Sequence, residues 1–159
     1  MSKQRLLDSI AAAFADVQLG EGVGLFEGQA LDDYDDPKPA RERDEKLNWS
    51  AISDADLEGC KSSLSFFDAA GFRFHLPAYM CLDLRSRFPD GGDLLFHLAT
   101  HPNEYFELLD EPQRNVARDY LEFLRSVHEQ PPDIEPSPGM FQVKSAIARL
   151  DKVSADSDS

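Results

Sequence analysis

Apolar side chains at Leu6, Leu7, Ile10, Phe14 and Val17 recur at helical steps, which predicts an amphipathic helix at the start of the chain. Gly20, Gly22 and Gly24 interrupt that pattern. Leu25 to Tyr34 predicts a second short helix, with Leu25, Phe26, Ala30, Leu31 and Tyr34 on its apolar side. Pro37 and Pro39 then oppose continuation. Ala40 to Lys46 is almost wholly charged and reads as an exposed helical turn or a solvated loop.

Ser53 has the character of an N-cap, with Asp54 and Asp56 in the first turn that follows. The helix it starts is expected to carry Leu57, Cys60, Leu64 and Phe67, with Gly71 as its stop. Phe72-Arg73-Phe74-His75-Leu76 alternates apolar and polar residues, which predicts a strand. Pro77 suits the first position of a helix holding Tyr79, Met80, Leu82, Leu84 and Phe88. Leu94 to Leu98 is too short for its period to separate strand from helix, so a hairpin with Phe72–Leu76 stays open. Asn103 to Leu109 predicts a short helical piece. Asp110, Pro112 and Gln113 form a capping-box start for a stripe of Val116, Tyr120, Phe123, Leu124 and Val127.

These elements predict an α+β, mostly helical fold in one compact domain over residues 1–129. A Pro-rich linker at 130–139 leads to a C-terminal helix at 140–151, marked by Val143, Ile147 and Leu150. A Ser- and Asp-rich tail at 152–159 is expected to be disordered. The 159 residues suit one domain, and 42% apolar or aromatic residues, including 11 Phe, suffice for a core without disulfides or metal.

Charge changes the picture more than size does. There are 30 Asp and Glu against 16 Lys and Arg, a formal net charge of −14. Phosphate contacts need basic clusters, so no nucleic-acid partner is expected, and an anionic membrane surface is disfavoured for the same reason. A basic protein would be attracted and would associate faster at low salt. No charged, apolar leader opens the chain and no apolar run approaches the ~18 residues of a membrane span. With only Cys60 and Cys81, a cytoplasmic protein with free thiols is expected.

The densest charge is Asp32, Asp33, Asp35 and Asp36 around Tyr34. A helix–loop–helix calcium site would need an oxygen ligand where Pro37 stands, so a partner-facing acidic surface is the better reading of the run. His97 and His101 have the four-residue spacing of a helical zinc pair, but Pro102 follows and no glutamate stands between them. His75 suits a structural hydrogen bond at the core edge, and Cys81 sits in an apolar context that mutes a thiol. Trp49 is expected in the core. No phosphate loop, dinucleotide fingerprint or nucleophile elbow appears, so no cofactor or metal is expected.

Two blocks are familiar in combination. Residues 19–34, from Leu19-Gly20-Glu21-Gly22 to Asp32-Asp33-Tyr34, form the first. Residues 62–79, from Ser62-Ser63-Leu64 to Pro77-Ala78-Tyr79, form the second, with Asp44-Glu45-Lys46 and Trp49 between them. Over about residues 5–125 the chain resembles a small bacterial family, domain of unknown function 6714. That resemblance implies no activity and no catalytic residue. In layout the chain is also similar to the immunity proteins of bacterial toxin systems, which plug a basic active site. The expected function is therefore a noncatalytic, acidic, protein-binding module of the immunity or inhibitor type, contacting a basic protein through Asp32, Asp33, Tyr34, Asp35 and Asp36. A small metal- or Cys/His-dependent enzyme using His75, His97, His101 or Cys81, and a structural subunit of a larger complex, are the alternatives.

Overall fold

Residues 72–76, expected as a strand, lie in the middle of a helix. The computed structural model describes residues 1–158, and among these there are nine α-helices and no strand, so the fold is all-helical and not α+β. The helices are α1 (Lys3–Ala13), α2 (Leu25–Asp32), α3 (Pro37–Glu42), α4 (Asp54–Gly59), α5 (Ala69–Arg85), α6 (Gly92–Thr100), α7 (Glu104–Glu107), α8 (Glu111–Val127) and α9 (Pro138–Ser157). Short 3-10 turns at Trp49–Ala51 and Lys61–Ser65 complete them.

The strand reading fails because α5 is the central helix. It is buried on nearly every side, through Phe72, Phe74, His75, Leu76, Ala78, Tyr79, Met80, Cys81 and Leu84. A helix enclosed all round shows no amphipathic period, and a local alternation then mimics a strand. Asp68 caps α5 by accepting from the Gly71 N–H at 2.8 Å, so Gly71 belongs to the first turn of α5 and ends nothing. Pro77, expected at a helix start, sits within α5, where it removes one backbone donor. Leu94–Leu98 resolves the same way: it lies within α6 and buries Leu94, Leu95 and Leu98.

Around α5 pack α1, α4, α6, α7 and the Trp49 turn. Trp49 is buried, as expected, and its indole Nε1–H donates to the Phe14 carbonyl at 2.9 Å, closing the end of α1. Helix α8 starts where the sequence placed it, with Asp110 and Gln113 exchanging side-chain-to-backbone hydrogen bonds. Tyr120 on α8 donates to Asp83 on α5 at 2.7 Å.

Helix α9 packs against α6 and α8 and buries Met140, Val143, Ala146, Ile147, Leu150 and Val153 on one face. It is longer than the expected 140–151. It runs to Ser157, through most of the segment read as a disordered tail, because Val153 is 2% exposed and anchors the extra turns. Of that expected tail, Ser159 lies outside the described residues. No helix among the described residues is long and apolar enough to cross a membrane.

The loop before α2 meets the first turn of α5 at backbone distance. A Cβ on Gly22 would lie 2.7 Å from the Gly71 nitrogen, and one on Gly71 would lie 2.5 Å from the Val23 carbonyl. Neither neighbour is a flexible side-chain tip, so Gly71→Ala is expected to cost on the order of 1–3 kcal/mol through forced displacement. At Gly59, where nothing lies within 4 Å, the same change is expected to be neutral or to stabilise by up to about 1 kcal/mol. Urea unfolding midpoints of the two variants check the contrast.

Candidate functional site

The acidic run sits at the tip of the α2–α3 hairpin, and its support begins well before it. The start of α2 is capped from a distance: Asp44 accepts the N–H groups of Phe26 at 2.6 Å and Glu27 at 3.2 Å. A carboxylate at a helix N-terminus is favoured by the orphan donors and by the helix dipole. The carboxylate leaves no room for a side chain at Gly24. Burial pushes the Asp44 carboxyl above its usual range, against the pull of the two N–H groups. Glu27 accepts the Gly24 N–H at 2.9 Å and pairs with Arg41 of α3 at 2.8 Å. Arg41 also donates to the carbonyls of Gly20 and Gly22, so one guanidinium joins the glycine loop, α2 and α3. Lys46 donates to the carbonyls of Arg41 and Asp44 and closes the unit.

On this frame α2 ends early. Tyr34, expected on the apolar side of the helix, is instead the turn residue after it, at φ 58° and 98% exposed. The Asp35 N–H bonds to the Ala30 carbonyl at 2.9 Å and the Tyr34 N–H to the Leu31 carbonyl at 3.4 Å, which is the Schellman pattern with tyrosine where glycine is usual. The left-handed conformation costs a residue with a Cβ about 1–2 kcal/mol.

All four aspartates of the run are exposed, and their local roles differ. Asp33 accepts from Gln29 at 3.1 Å, and Asp36 caps α3 by accepting the Lys38 N–H at 3.1 Å. The carboxylates of Asp32 and Asp35 have no hydrogen-bond or ion-pair partner among the described residues. Beside Asp33, Asp35 and Asp36 lies an open groove of about 300 Å³ that Phe26 and Ala30 also line. The Arg43 guanidinium stacks 4.5 Å over the Phe26 ring at its edge. The chemistry on offer is a negative, partly aromatic surface whose central ring is fully presented to solvent.

The residues of the alternative site fall in separate environments. His75 is fully buried, stacks on Phe67 at 4.3 Å, and donates from Nδ1 to the Gly71 carbonyl at 2.7 Å. Its Nε2 is buried without a partner, and burial lowers its pKa to about 4. His97 and His101 do come together, with ring centroids 4.9 Å apart, in a stack that continues to Tyr105 at 4.6 Å. His101 donates from Nε2 to the Leu64 carbonyl at 2.9 Å. Burial lowers both pKa values, that of His97 to about 4. Cys60 and Cys81 are buried free thiols, and burial pushes Cys81 up to about 11. No group of three or more His, Cys, Asp or Glu side chains that could hold a metal ion occurs among the described residues.

A helical domain that presents a braced acidic tip is the class of protein this geometry defines. The chain belongs to the DUF6714 family, a family of unknown function, whose model matches residues 2–135. No curated protein and no solved structure matches the chain. The support of the tip, carried by Glu27, Arg41 and Asp44, was not singled out from the sequence. Its one local trace is the Gly20, Gly22, Gly24 spacing, because the partners lie 14 to 18 residues apart.

The buried histidine fixes the sign of one pH effect. With a folded pKa of about 4 and an unfolded value near 6.5, His75 binds a proton more readily in the unfolded chain. Its contribution to stability is level above pH 6.5 and falls as pH drops from there towards 4, by roughly 3 kcal/mol in full. His97 acts in the same direction. Subtracting the unfolding free energies of His75→Gln from those of the wild type across pH 4–7 is expected to leave this slope, and a flat difference would contradict it.

Proposed function

We propose that the chain is a noncatalytic, acidic protein-binding module that contacts a basic protein through the α2–α3 tip. In its sharpest form it is an immunity-type inhibitor in a bacterial cytosol, covering the cationic active site of a toxin. The observation that carries this reading is Tyr34. A 98% exposed aromatic ring occupies a left-handed turn position that glycine would fill at lower energy. Aromatic side chains dominate interface energetics, and this one stands between carboxylates that complement a cationic surface. Asp32 and Asp35 are free to pair, while Asp33 and Asp36 add charge from positions fixed by their own hydrogen bonds.

The surface and the fold make opposite demands at residue 34, which gives a discriminating test. Tyr34→Gly is expected to raise stability by about 1 kcal/mol in chemical denaturation, because it relieves the positive-φ conformation. The same variant should lose a basic partner that the wild type retains from a lysate of its source at low salt. The fourfold variant Asp32→Asn, Asp33→Asn, Asp35→Asn, Asp36→Asn should lose it too. Retention that survives both variants, or a wild type that holds no basic protein, contradicts the proposal.

A further inference from the structure

Helix α9 joins the rest of the molecule through a long exposed connection. The region described by the family model ends at residue 135, inside the connection between α8 and α9. Residues 129–136 are all exposed, and the hydrogen bond they make is local, from the Ile134 N–H to the Pro131 carbonyl at 3.0 Å. The connection also stands off the body. Beneath it opens a groove of about 440 Å³, lined by Glu122, Arg125, His128, Ile134, Met140 and Lys144. The nine residues from 129 to 137 could span about 30 Å if extended.

The seat of α9 is apolar, and two of its polar ties to the body are exposed or long. Arg118 holds Asp151 through two contacts, at 2.9 and 3.1 Å, but both side chains are nearly half exposed, which limits what the pair adds. Ser145 Oγ reaches the Ala99 carbonyl only at 3.5 Å. In the closed position the Arg149 Nε is buried without a partner, a polar cost that opening would relieve through water. The helix also carries its own start: Ser137 accepts the Met140 N–H at 3.1 Å, and Pro138 takes the first position. Twenty residues with an internal cap exceed the ~12–15 below which an isolated helix is marginal.

We propose that α9 is a strap that swings away from α6, α7 and α8 as one unit, on the hinge of residues 129–137, while the body from α1 to α8 stays folded. The open form uncovers the faces of α6, α7 and α8 that α9 covers. The inference does not depend on the α2–α3 tip.

Native-state amide hydrogen exchange on the intact chain tests it. The amides of α9 should share a single opening event, about a hundredfold more frequent than the opening that exposes α5. Equal protection of the two helices overturns the proposal. A graded loss of protection towards Ser157 overturns it too, because that is end fraying. In Asp151→Asn, which removes the ion pair to Arg118, exchange throughout α9 should rise about twofold to fivefold, the range of an exposed pair, with α5 unchanged. A change of the same factor in α5 would show that α9 unfolds only with the whole molecule and would also overturn it.

Discussion

One carboxylate oxygen governs how the chain closes on itself. Asp68 Oδ1 receives the N–H of Gly71, which starts the central helix, and the N–H of Val23, from a loop 45 residues earlier. The two backbones touch at Gly22 and Gly71, so the loop has no freedom to shift without breaking one bond or the other. From that fixed point the chain enters α2, and Asp44 and the Glu27–Arg41 pair set the direction of the hairpin. The glycine-rich block and the Asp68–Gly71 turn form the two sides of this joint.

The pattern of apolar positions revealed those parts of the fold that have a wet side. Helices α1 and α8 each bury one stripe and expose the other, so spacing found both, and the cap chemistry at Asp110 fixed the start of α8. Helix α5 has almost no wet side, and its residues 72–76 could not be told from a strand. The end of the chain misled for another reason. Ser and Asp in the last turns of α9 resemble a solvated tail, yet Val153 is anchored by contacts with elements distant in sequence. At the hairpin tip the aspartates were visible as composition. The conformation of Tyr34 was not, because nothing local to residues 32–36 specifies a left-handed turn without glycine.

The acidic run has divided duties. Asp36 and Asp33 spend their oxygens on the hairpin itself, whereas Asp32 and Asp35 carry charge with no local use. The conflict between local propensity and global conformation falls on the residue between them. Such conflicts concentrate at functional or strained sites in otherwise consistent sequences. The buried histidines are a different kind of exception. Their neutral rings fill aromatic positions beside Phe67, Phe72 and Tyr105, and they contribute packing with little charge at neutral pH.

The placement of α9 at the end of the described fold has a consequence for biosynthesis. The faces of α6 and α8 leave the ribosome before the helix that covers them. At about 5–20 residues per second, the stretch from the linker through α9 takes roughly one to several seconds to follow. During that interval a nascent chain displays the apolar groove with nothing on it. Chaperones and neighbouring nascent chains therefore have their best access then, and the time taken to make the connection and α9 together sets how long that access lasts.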